Sequence, residues 1–112
     1  MKIDDVRKMA LALPEVTEED HFGVPSFRFK KKILVTVPDN KTVNVLLDAE
    51  YVDLALEAAP SVCDEVWWGK NRLGVSFKVA KAPRGLLKEM IEQSWRRRAT
   101  KTLIKKFDNG EI

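Results

Sequence analysis

Residues 27–47 read FRFKKKILVTVPDNKTVNVLL, and two polar breaks cut this run into three apolar segments. Phe27 and Phe29 alternate with Arg28 and Lys30, Ile33, Val35 and Val37 share a face, and TVNVLL supplies a third segment. A period of two, rich in β-branched and aromatic residues, is the mark of a strand. The breaks at Lys31–Lys32 and PDNK are short enough to be turns, so the three strands are expected to form an antiparallel meander.

Upstream, Ile3, Val6, Met9, Ala10 and Leu13 recur at helical spacing, Asp4 and Asp5 suit the positive end of the helix dipole, and Pro14 stops the helix. VTEEDHFGVPS then reads as an acidic loop shaped by Gly23 and Pro25. Downstream, Asp48 is placed to cap a short helix, AEYVDLALEAA, with Leu47 and Val52 as a hydrophobic staple. SVCDEVWW and RLGVSFKV read as a hairpin around GKN, with Leu73, Val75, Phe77 and Val79 on one face. Pro83 opens a last helix whose buried stripe is Leu87, Met90, Ile91, Ser94 and Trp95, and a break is expected near Ala99–Thr100. The order α-β-β-β-α-β-β-α predicts one α+β domain over residues 1–112: an antiparallel five-stranded sheet with helices packed on one face.

With 112 residues, 45% of them hydrophobic, the chain is large enough for one core without disulfide or metal support. No apolar run nears the roughly 20 residues that span a bilayer, and charges interrupt the N-terminal apolar residues, so a cytoplasmic location is expected, with no membrane partner. The single cysteine, Cys63, agrees with that reading. The net charge of +3 is unevenly spread: residues 1–60 hold 8 Lys/Arg against 11 Asp/Glu, and residues 61–112 hold 12 against 6. Such asymmetry permits an anionic partner.

Any nucleophilic triad must run through His21, the only histidine, with Ser26 or Cys63 as nucleophile, and no spacing rule singles these out. No second histidine or paired cysteine completes a metal site, and neither HFGVPS nor WWGKNRLG has phosphate-loop spacing. No enzyme activity, cofactor or metal is therefore expected, and the protein is expected to be a monomer. Basic residues, by contrast, collect where hairpins turn, at Lys30, Lys31, Lys32, Lys41, Lys70 and Arg72, and on the tail, at Arg96–Arg98, Lys101, Lys105 and Lys106. Projecting cations can reach phosphates on either side of a groove, although lysines at turns also serve to deter aggregation. Trp67 and Trp68, adjacent in a strand, must point to opposite faces, so one of them is expected to be partly exposed.

Three segments taken together, LALPEVTEEDHFGVPSFRFKKKILVTV, WWGKNRLGVSFKV and LLKEMIEQSWRRRATKTL, resemble the MmcQ/YjbR-like proteins in composition and order. That resemblance implies a CyaY/frataxin-like fold and a DNA-binding protein with two projecting hairpins, a double wing. The chain departs from the family pattern at Leu73, where many relatives carry an aromatic ring, and at Arg96–Arg98, where some continue with apolar residues. The expected function is binding of double-stranded DNA through its phosphates, by Lys30, Lys31, Lys32, Lys70 and Arg72 at the hairpin tips and Arg97 and Lys101 on the tail. The alternative is a ligand or protein-interaction module using a cleft between the 20–28 loop and the 67–72 hairpin, lined by His21, Ser26, Arg28, Trp67 and Trp68.

Overall fold

A computed structural model describes residues 1–112. The three strands read from residues 27–47 are present as β2 (Val24–Phe29), β3 (Lys32–Thr36) and β4 (Thr42–Leu46), each antiparallel to the next. The sheet, however, has six strands rather than five. Residues expected to be an acidic loop form β1 (Val16–His21), which pairs with β2 along its whole length. The β1–β2 turn is Phe22–Gly23, both with positive φ (51° and 88°), the backbone that a two-residue hairpin favours.

After β4 the chain forms α2 (Ala49–Ala58), then β5 (Cys63–Trp68) and β6 (Asn71–Lys78), and β6 returns to pair with β4. The sheet order is β1-β2-β3-β4-β6-β5, all antiparallel. Helices α1 (Ile3–Leu11), α2 and α3 (Arg84–Arg96) pack on one face of it. The last helix breaks where expected: α3 ends at Arg96, and Thr100 caps α4 (Lys101–Asp108) by accepting from the Leu103 N–H.

Two bulges refine the strand faces. Phe27 pairs with Val35 but Arg28 pairs with Ile33, so Leu34 is an extra residue in β3, and its side chain is buried along with Val35. Ile33 and Val35 therefore do not share the same regular face. In the same way Val66 pairs with Gly74 and Trp67 with Arg72, which makes Leu73 the extra residue in β6.

The core is one continuous cluster of 26 buried residues, built around Trp95, Phe27 and Phe77, none of which is exposed. Burying a side chain of the size of phenylalanine contributes about 1.5–3 kcal/mol. Ser94 and Trp95 add direction to this packing. The Ser94 hydroxyl donates to the Leu34 carbonyl at the β3 bulge (3.1 Å), and the Trp95 indole N–H donates to the Pro14 carbonyl ahead of β1 (3.0 Å). They pin α3 to both the centre and the edge of the sheet.

Candidate nucleic-acid interface

The antiparallel register decides which loops lie together. β2 ends at the Lys30–Lys31 turn, since Phe29 pairs with Lys32, and β5 ends at the Gly69–Lys70 turn, since Trp68 pairs with Asn71. β4 runs from Thr42, opposite Lys78, to Leu46, opposite Gly74, so its last residue and the start of β6 lie at the same end of the sheet. Both lysine-bearing turns therefore project from one end. They are three strand spacings apart in the sheet order, about 14 Å at 4.7–4.9 Å per spacing.

The C-terminus of α3 reaches the same end. Asp48, which follows β4, accepts from Arg97 Nε at 3.0 Å, and Pro14, which precedes β1, accepts from Trp95. Arg98 and Lys101 continue from there, exposed. One end of the sheet thus gathers Lys30, Lys31, Lys32, Lys70, Arg98 and Lys101, none of which has an ion-pair partner.

Two cations singled out from sequence are committed elsewhere. Arg72 pairs with Asp53 on α2 (2.8 Å) and Glu65 on β5 (3.0 Å), and the Asp53 hydrogen bond leads the contacts that raise its pKa above the ordinary value. The β6 bulge explains its direction: the extra residue turns Arg72 toward the helices instead of the open face. Arg97 gives its Nε to Asp48 and leaves Nη1 buried without a partner. Asp48 does stand at the N-cap of α2, but its side chain is taken by Arg97 and makes no capping bond. Arg72 and Arg97 are thus internal ties between α2, β5 and α3, with little charge left for a partner.

The residues assigned to a cleft divide into two groups. His21, Ser26 and Arg28 come together on the sheet face away from the helices: Arg28 Nε donates to Ser26 Oγ (3.0 Å), and Arg28 Nη2 lies 3.3 Å from His21 Nδ1. The Ser26 hydroxyl in turn donates to the Glu19 carbonyl (2.8 Å) and is fully buried. This is a side-chain brace across the β1–β2 hairpin. Trp67 and Trp68 lie on the opposite edge of the sheet, four strands away from that hairpin or more, so the two groups enclose no common cleft. Both tryptophans are exposed, at 54% and 74%, where sequence reasoning expected one. Trp67 donates its indole N–H to Glu65 (3.1 Å).

On the open face a polar row, Glu19, Ser26, Thr36, Asn44, Ser76 and Asp64, crosses all six strands in register. Single-strand alternation gives no view of it, because it exists only once the register is known. Cys63 lies under the other face, 4% exposed, and burial raises its thiol pKa. It is a packing residue rather than a nucleophile.

No helix is long and apolar enough to cross a membrane. No curated protein matches the chain. Among solved structures, the crystal structure of the Deinococcus radiodurans protein DR2400, a DUF419 domain, is similar to it: the TM-score is 0.71 at 19% identity, over 93% of this chain and 86% of that one. The likeness is one of fold. A family model, YjbR, matches residues 11–97, from the end of α1 through the C-cap of α3, and includes both lysine-bearing turns and the Ser94–Trp95 anchor, so the chain belongs to the YjbR family.

Proposed function

We propose that this protein binds double-stranded DNA, without catalysis and with little sequence selectivity, through phosphate contacts made by the Lys30–Lys32 and Lys70 turns and, beside them, by Lys101. The observation that carries the reading is the placement of the two turns at one end of the sheet, about 14 Å apart, close to the roughly 12 Å width of the B-DNA major groove. The turns act as a double wing on a scaffold of the CyaY/frataxin-like kind. Flexible lysines supply charge without a base-reading geometry, which suits phosphate contact rather than sequence readout. A cytoplasmic monomer is the form in which we place this activity.

A mobility-shift series with a short duplex tests the reading. Affinity is expected to fall with salt at a log–log slope of about −0.9 per phosphate contacted. Lys31→Ala with Lys70→Ala is expected to reduce that slope by about two contacts, while Arg72→Ala lowers stability and leaves the slope unchanged. Absence of any shift at low salt, or a slope indifferent to the two lysines, rejects the reading.

A further inference from the structure

The far end of the sheet holds a second basic site, separate from the Lys30–Lys32 and Lys70 turns. An open cleft of 730 Å³ lies where the N-terminus of α1, the β3–β4 connection and the chain after β6 meet. Its walls carry Lys2, Lys41, Lys78 and Lys81, and not one of these has an ion-pair partner. The sole carboxylate on the wall, Asp4, is paired with Lys8 (3.5 Å) and with Arg7 (3.1 Å), which also holds Glu18 on β1 (2.8 Å). Four like charges bordering one cleft repel each other, and an anion bound among them lessens the repulsion.

The lysines stand on fixed backbone. Asp39 Oδ1 accepts from the N–H groups of Lys41 and Thr42, both at 2.8 Å, and these bonds hold its carboxyl below the usual range. Val79 N–H donates to the Lys41 carbonyl (2.9 Å), and the Lys78 carbonyl accepts from Lys81 N–H (3.2 Å) and Ala82 N–H (3.0 Å). Lys2 N–H is held by Asp5 (2.8 Å). A site whose frame is already ordered loses little entropy when a ligand arrives. Ile3 and Ala80 add apolar surface, and Thr42 and Ser61 add hydroxyls. The volume falls within the roughly 300–1,000 Å³ of small-molecule sites.

We propose that this cleft binds a phosphorylated small molecule that has an apolar body, with Lys41, Lys78 and Lys81 on the phosphates and Lys2 closing over them. The phosphate charge meets the lysines while the body covers Ile3 and Ala80.

The test uses the full chain, ¹⁵N-labelled, titrated separately with inorganic pyrophosphate, ADP and a short DNA duplex at low salt. Pyrophosphate and ADP are expected to move the amides of residues 40–42 and 78–81 to saturation, with ADP about tenfold tighter because of its added apolar contact. The duplex is expected to move residues 30–32 and 70 instead. Lys41→Gln with Lys81→Gln should weaken both small probes about tenfold or more, and Lys31→Gln with Lys70→Gln should leave them unchanged. Circular dichroism on the same samples confirms that the variants are folded. The proposal is overturned if neither small probe saturates below about 10 mM, if their shifts fall on the lysine turns, or if ADP binds no tighter than pyrophosphate.

Discussion

Two single residues hold positions that no other side chain fills. Ser94 is buried inside α3, and its hydroxyl meets the carbonyl of Leu34, the residue the β3 bulge takes out of regular pairing. Ser94→Ala removes the donor and leaves a buried acceptor unsatisfied, which costs about 1–3 kcal/mol. Urea unfolding measures this, and a midpoint equal to that of the unmodified chain would show that the bulge does not depend on the hydroxyl. Gly74 is the second. A Cβ there would lie 2.0 Å from the Val45 carbonyl oxygen and 2.9 Å from Leu46 Cα, both backbone atoms of β4 that cannot rotate aside. Gly74→Ala must push β4 and β6 apart, and a loss of stability of at least about 1–3 kcal/mol is expected. Ser94 was legible in the sequence as part of a helical stripe, because helical spacing reports burial. Its partner was not, because ILV in β3 is apolar at every position and hides the extra residue.

At the scale of elements, what the sequence shows and what it hides follow from burial. Strands β2, β4 and β6 alternate because one face of each meets the helices, and their periodicity was readable. β1 has only Val16 buried, with Thr17 to Asp20 exposed, so its pairing with β2, steadied by the Arg7–Glu18 bond from α1 (2.8 Å), makes it a strand and no alternation announces it. Charges along such an edge also deter pairing with other chains. α4 is held differently again. Phe107 packs on Trp95 with ring centroids 5.0 Å apart, and Arg96 binds Asp108 through both guanidinium Nη nitrogens, one of them at 3.1 Å. That contact pulls the Asp108 carboxyl below its ordinary value. A carboxylate depressed in the folded state adds stability that is present above its unfolded pKa, near 4, and is lost as pH falls through the folded value. α4 is therefore expected to loosen from α3 on acidification below about pH 4, while Asp108→Asn loosens it at neutral pH and removes that acid dependence. Backbone amide exchange in α4 reads both effects; acid protection that is the same in the variant and the unmodified chain would assign the docking to the apolar contacts of Leu103, Ile104 and Phe107.

For the whole molecule, the distribution of charge matters more than its sum of +3. The sequence places lysines in turns but cannot say that two of those turns share one end of a sheet, since that depends on β6 returning beside β4. Nor can it separate free cations from Arg72 and Arg97, whose carboxylate partners are remote in sequence or on another element. Glu15 is the informative exception at the basic end. It precedes Val16, which pairs with Phe29, so it lies beside the Lys30–Lys31 turn, exposed and without an ion pair. Its φ of 60° is a left-handed conformation that asparagine tolerates better than glutamate. Glu15→Asn should thus relieve backbone strain and remove a negative charge from the proposed DNA face in one step. Stability is expected to rise by up to about 1 kcal/mol, and duplex affinity at low salt to rise about two- to fivefold, fading once the Debye length falls to about 3 Å near 1 M salt. The salt slope should stay as it was, because Glu15 adds no phosphate contact. A variant that gains stability while its duplex affinity is unchanged would place the nucleic acid away from this end of the sheet, and with it the two lysine turns.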